Sequence, residues 1–442
     1  MFGVEEKSRD ILQIFFLMAA SWLIYESGYG ILQVLGLARS AHLLFPLTGH
    51  FQNPGPFGGF VAMLMSICLA YLLLTERNNL WQRWTKWICA IAAAMGFIVL
   101  PASMSRAGWL GLAVSMGVFA VRSRIINNWF SGKPFRVIGV LAVLAVLGVS
   151  GFLLKKDSAL GRIHVWHMEL LALLKAPFTG VGNGSFAWTY GETQAEYFSA
   201  AERAPWEIRV AGCPEYAFNE YLRVGVEWGI PAMLLLLGLV VLTIVVLMRN
   251  DNPLGYGALA LAVFAFFSYP FSLWQFQFWA GLFLAAAAGE VLNNCKWAPY
   301  GIFLAALCVV CITRKNKAYD SDYRVLYQQG YALFQVGEYE KALPLLWEGA
   351  ALSCDPMFHN IIGRCHEALG NGEEAEKEYL RAHYMVPGRL YPLVLLQELY
   401  LSQGETKKAS HVLETIRGIP VNPRNTNMLS LQERAEKNHV KQ

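Results

Sequence analysis

Runs of about twenty predominantly apolar residues, each long enough to cross a bilayer as a helix, recur through the first 313 positions and leave few folds open to this chain. They lie near 11–29, 57–75, 87–103, 107–122, 136–154, 229–248, 254–270, 272–291 and 297–313. Inside lipid only a helix satisfies its own backbone hydrogen bonds within one such segment, so the sequence predicts an all-α fold with about nine spans. The rest of the composition agrees: of 442 residues, 55% are hydrophobic and 15% charged, a balance foreign to a soluble enzyme. Only Ser268, Tyr269 and Pro270 interrupt the seventh and eighth runs, and a hairpin turn is expected there.

Charge orients the spans. Arg77, Arg83 and Lys86 follow the second run, and Arg122, Arg124, Lys133 and Arg136 follow the fourth, whereas the first connection carries only Arg39. The positive-inside rule then places the N-terminus of a multi-pass membrane protein in the cytoplasm. On that parity 42–57, 103–106 and the polar stretch 155–228 face outward, as does everything after the ninth run; the basic cluster Arg314, Lys315 and Lys317 argues the other way. No small-residue cleavage site follows MFGVEEKSRD, so the first run is expected to remain as a span. A net charge of +4 spread over many loops makes nucleic acid an unsuitable partner and the lipid bilayer the expected one.

The sequence divides into a polytopic membrane domain over 1–313, with 155–228 as a large extracytoplasmic loop, a linker over 314–322, repeats over 323–417 and a polar tail over 418–442. In the repeats Gly330, Gly337 and Ala342 recur as Gly363, Gly370 and Ala375, and the last two recur as Gly404 and Ala409. With GYALFQVGEYEKALPLLWEGA, this period resembles the tetratricopeptide repeat, which implies an α-solenoid of stacked helix pairs and a protein partner docked on it. Of eight cysteines none shows metal-ligand spacing, and Cys68, Cys89, Cys295, Cys308 and Cys311 lie in or beside apolar runs, where packing is their role. Cys354 and Cys365 stand as either a pair or two buried thiols.

Several residues fit chemistry at a membrane face. Arg106 ends the closely spaced third and fourth runs, where a guanidinium must find water, a carboxylate, a headgroup or a ligand phosphate. Arg162, His164, Trp166, His167 and Glu169 follow within eight residues, with Arg162 and Trp166 on one helical face and the two histidines on another. An interfacial amphipathic helix produces the same pattern, and no further ligand completes a metal site, so no metal is expected. The run APFTGVGNGSF fits either a backbone cradle for an anion or a helix-ending turn. Arg203 and Arg209 stand in a mixed-sign stretch as phosphate contacts or solvated surface. Glu220, Arg223 and Glu227 share a helical stripe that suits ion pairing, or a carboxylate acting as general base.

Four segments in order, LTGHFQNPGPFGGFVA, SRAGWLGL, GRIHVWHMELLALLKAPFTGVGNGSF and FNEYLRVGVEWGIPAMLL, resemble the O-antigen ligase and polymerase superfamily of bacterial envelope glycosyltransferases over about 40–250. The resemblance implies transfer of a glycan from a polyprenyl-diphosphate donor to an acceptor hydroxyl at the outer face of the inner membrane, with neither cofactor nor metal. It implies that Arg106 and Arg162 grip the diphosphate and stabilise it as it leaves; by their own positions in the loop Trp166, His164, His167, Arg203, Arg209 and Asn219 are expected as substrate contacts. Ligases of the family commonly carry His-Asn where this chain has Phe218-Asn219. That departure moves the base to Glu220, Glu227, His164 or His167. The acceptor is then a lipid, a glycan or a protein. Ligase or polymerase activity is the first expectation; a protein O-oligosaccharyltransferase, or a degenerate membrane anchor for a docking domain, is the alternative.

Overall fold

A computed structural model of the protein describes residues 2–76, 79–123, 156–291, 322–422 and 424–440, with side chains from residue 13 onward. The described residues form helices and connections without a strand. The expected spans at 136–154 and 297–313 lie outside them, as does nearly all of the linker. The chain divides into two compact units. The first comprises 1–154, 218–221 and 234–314, and the second 155–217, 222–233 and 315–442.

The first unit is built from α1 (Phe2–Val34), α2 (Pro54–Leu74), α3 (Leu80–Ala102), α4 (Arg106–Arg122), most of α8 (Glu220–Arg249), α9 (Leu254–Ala265) and α10 (Trp274–Val291). Residues 13–34 of α1, α2, α3 and α8 are long and apolar enough to span a membrane. Local chemistry sets their starts. Pro54 occupies the first turn of α2, where no backbone donor is needed, and Asn53 accepts from the Gly55 N–H at 2.9 Å. Asn79 accepts from Gln82 at 2.7 Å to start α3. Of the apolar window of α2, 78% is buried inside the protein, against 11% for α8, so α2 is the centre of the unit and α8 presents its apolar surface outward.

Small residues allow the helices to approach, as is usual where lipid offers no hydrophobic drive to association. Gly59 faces the Phe264 ring and Gly257 faces Ile67, each so close that a Cβ would stand within 2.4 Å of the neighbour. Phe57, Phe60, Phe264, Phe276 and Trp279 fill the space between. At the other end of the unit Arg122 donates to the Met248 carbonyl at 2.6 Å and to Asp251 at 3.0 Å. One expectation needs correction. Residues 254–270 do not form a full span: α9 stops at Ala265, after about 18 Å of helix, and a 3-10 turn over Pro270–Ser272 precedes α10.

The second unit holds α5 (Lys156–Lys175), α6 (Phe186–Ala200), the short α7 (Pro205–Val210) and seven C-terminal helices: α11 (Tyr323–Gln335), α12 (Tyr339–Ala350), α13 (Met357–Ala368), α14 (Gly372–Met385), α15 (Tyr391–Ser402), α16 (Thr406–Gly418) and α17 (Thr426–Val440). The recurring residues have physical causes. Gly337, Gly370 and Gly404 take positive φ at the turn inside each helix pair, a conformation that costs other residues a Cβ clash. Ala342, Ala375 and Ala409 are fully buried. The large loop shares its compact unit with these pairs, and residues 426–440, expected as a polar tail, form a helix on α15 and α16. There Arg434 forks onto Glu398 and Gln397 donates to the Ala435 carbonyl at 3.1 Å.

Gly363 meets the Tyr379 ring so closely that a Cβ would lie 2.5 Å from it. Gly363→Val is expected to overpack this contact, to destabilise the helix pairs by about 1–3 kcal/mol and to lower the unfolding midpoint of the purified protein. An unchanged midpoint would show that the pair tolerates separation.

Candidate active site

In the first unit the segment around Arg106 is held on every side. Ser105 caps α4 by accepting from Gly108 at 3.3 Å and donates through its hydroxyl to the Gly55 carbonyl at 2.9 Å. Ser103 donates to Leu100 at 2.6 Å, and the Trp109 indole donates to the same carbonyl at 2.8 Å. Gly58 and Gly108 let α2 and α4 touch backbone to backbone; a Cβ on Gly108 would stand 2.6 Å from the Gly58 carbonyl oxygen. Arg106 is therefore fixed at the first position of a helix, where the backbone dipole adds to its charge. Three residues on, Trp109 lines an apolar notch of about 480 Å3 with Phe97, Leu100, Leu112 and Met116.

Two of the three described non-glycine residues with positive φ stand two places before residues singled out from the sequence: Met104 (φ 53) before Arg106 and Phe218 (φ 54) before Glu220. A bulky side chain in this region carries strain of about 1 kcal/mol or more. Phe218 packs edge-on against Tyr269, Asn219 caps α8 by accepting from Tyr221 at 3.1 Å, and buried Glu220 accepts from the Phe271 N–H at 2.7 Å. Glu220 thus ties the start of α8 to the turn before α10.

The second unit explains the glycine run. Val181 and Gly182 donate to the carbonyls of Val226 and Glu227 at 2.9 and 3.0 Å, and Ile230 donates to Pro177 at 2.7 Å. Gly180 and Gly229 are required because a Cβ on either would stand 2.4 Å from the opposite backbone. These N–H groups bind the far end of the loop instead of cradling an anion. Gly229 (φ 86) also breaks α8 just before Pro231. Buried Glu227, on the near side of the break, pairs with Arg223 at 2.9 Å.

Residues 90–237 match the O-antigen ligase family model. The match covers about a third of the chain, from α3 through α4 and the large loop to α8, and supports an O-antigen ligase-like membrane glycosyltransferase. No curated protein matches the chain. The C-terminal helix pairs and the segment TGHFQNPGPF lie outside the matched stretch.

Of the residues expected from the sequence, Arg106, Asn219 and Glu220 belong to the first unit, and Arg162, His164, Trp166, His167, Arg203, Arg209 and Glu227 to the second. Arg162 and Trp166 are half-buried on α5. His164 is buried and bonds Gln194 at 2.9 Å, whereas exposed His167 packs edge-on against Tyr197. Arg203 gives both Nε and Nη2 to the Tyr197 carbonyl and lies 3.8 Å over that residue's ring, so its guanidinium closes the end of α6. Arg209 pairs with Asp157 at 3.1 Å, both exposed.

Sequence reasoning missed three features. Buried Glu26 in α1 accepts from both the backbone and Nδ1 of His50, at 3.2 Å each, and the His50 ring is stacked by Tyr25 and Tyr29. Gln194 carries no motif. Cys354 pairs with Cys213, with Cα atoms 5.4 Å apart, and not with Cys365, which is buried in the core of its helix pair.

Burial holds His164 below the ordinary histidine value of 6.5, against a smaller opposing effect of its bond to Gln194, and lowers His383 to about 4. Both are therefore neutral in the fold, while the unfolded chain takes up protons first as pH falls. Stability of the second unit should be full above about pH 7 and decline through 6.5 toward 4, by up to about 3 kcal/mol through His383 alone. Unfolding midpoints measured from pH 7.5 to 4.5 check this; a midpoint flat over that range for this unit would contradict the burial of the two rings.

Proposed function

We propose that this protein transfers or polymerises a polyprenyl-diphosphate-linked glycan at the outer face of the inner membrane. The observation that carries the reading is the setting of Arg106: it is the first residue of α4, three positions before Trp109, which lines an apolar notch. The charge and the dipole suit a diphosphate, and the notch suits an apolar chain attached to it. Arg162 is the second guanidinium assigned to the diphosphate. In the transfer step the acceptor oxygen bonds to the anomeric carbon of the donor sugar. The bond from that carbon to the diphosphate breaks, and its electron pair stays on the phosphate oxygen that the arginines neutralise. The acceptor proton passes to a carboxylate at the loop's end, Glu220 or Glu227. Neither metal nor nucleotide takes part.

The Cys213–Cys354 bridge supports the outward orientation of both the loop and the helix pairs, since disulfides persist in oxidising compartments. The helix pairs are assigned to the tetratricopeptide class from their period and their small-residue contacts. A protein acceptor gains less support, because the loop already occupies part of the helix pairs that would present it.

Arg106→Ala and Arg162→Ala should each lower transfer from a polyprenyl-diphosphate donor by on the order of 10²-fold or more, as loss of a charge-stabilising donor does, with membrane insertion intact. Normal transfer by both variants would remove the arginines from the mechanism. In the native protein, proteolytic nicking between residues 214 and 353 should leave two fragments that separate on a gel only after reduction. Separation without reductant would place the cysteines in a reducing compartment.

A further inference from the structure

The side chain of Gln194 is wholly buried, and every hydrogen-bonding position of its amide is used. Its Nε2 donates to the Gly212 carbonyl at 3.0 Å and to the Met385 carbonyl. Its Oε1 accepts from the Tyr190 hydroxyl at 2.6 Å and faces Nε2 of His164 at 2.9 Å. With both amide protons given to carbonyls, the oxygen has to be the acceptor toward His164, so His164 carries its proton on Nε2. Met385 ends α14, where a helix leaves carbonyls without an internal partner. A loop side chain thus completes the end of a repeat helix, and through the same amide holds a residue two positions from Arg162.

The contact is broad. Arg381 of α14 forks onto Glu192 of α6. Gly191 lies so close to Met385 and Cys354 that a Cβ would stand 2.7 Å from the methionine methyl. Val165, Met168, Phe186, Tyr190, Met385 and Val386 close a common apolar core, and the Cys213–Cys354 bridge spans it. Elsewhere α5 is tied to the loop by Asp157 with Arg209 and Lys175 with Glu196, in pairs that are exposed and therefore weak.

We infer that Gln194 is a positioning residue for Arg162, and that the resident ligand of the repeat array is the chain's own catalytic loop. A buried, fully satisfied amide admits one arrangement of α5, α6 and α14, because any other leaves a desolvated donor or acceptor unmade. The array then works as a built-in clamp on the helix that carries Arg162. What Arg162 does rests on the glycosyltransferase reading above; the clamp does not.

The test uses the full-length protein in detergent or nanodiscs, with two readouts. In Gln194→Leu, amide hydrogen exchange should rise over 156–175 and stay at the wild-type level over 323–350. Unchanged exchange over 156–175 overturns the clamp whatever the enzyme assay shows. With a polyprenyl-diphosphate glycan donor, Gln194→Leu should lower kcat on the order of 10²-fold, the effect expected of a misplacement near 1 Å, with the donor KM little changed. His164→Leu, which removes the partner of the Gln194 oxygen, should lower kcat to a similar extent and raise exchange over 156–175 in the same way. In an Arg162→Lys background Gln194→Leu should cost no further rate. An additive loss there makes Gln194 merely structural. A wild-type protein that transfers nothing sinks the functional reading and the positioning role together, while exchange still decides the clamp.

Discussion

The closed loop depends on one piece of backbone pairing. Residues 177–182 and 226–230 meet through three hydrogen bonds between main chains, and two glycines make the approach possible. Without that closure the residues between would form a long excursion with no reason to hold one shape. With it, the end of α5 and the start of the apolar stretch of α8 are held at a fixed separation. The same contact imposes the break at Gly229, since the residue that touches Phe178 cannot also continue a helix. Ala172, Leu173 and Val226 then bury together against it.

A second constraint acts at the other side of the loop. Chain segments separated by 141 residues are joined by the Cys213–Cys354 bridge, and the interface it staples has a polar centre as well as an apolar core. Apolar packing alone would allow the helices to slide. A buried amide with four satisfied bonds does not, because each alternative register strands a polar group out of water. The loop and the helix pairs are therefore one structural unit, although they are distant in sequence and only the loop lies within the stretch that matches the O-antigen ligase model.

The Arg106 segment shows how far the chain could be read directly. Its arginine stood out because a charge beside two apolar runs is costly in lipid, and the capping serines and Asn53 are signals at fixed offsets. That Gly58 and Gly108 lie backbone to backbone was not legible, since a glycine in an apolar run signals small size and names no partner. Glu26 and His50 escaped notice for a related reason. A lone carboxylate in a span has meaning only when its partner, 24 residues away, is known.

Periodicity and polarity by themselves determined the helical class, four of the spans among the described residues and the paired C-terminal helices, because these follow from local preferences that repeat along the chain. Tertiary structure alone decided that Cys354 pairs with Cys213 and not Cys365, that the glycine run holds the loop's far end, that α9 stops short of a full span, and that Gln194 is the hub beneath the helix of Arg162. Each of those depends on which surfaces meet. Desolvation and close packing set that choice, and neither leaves a pattern along the sequence.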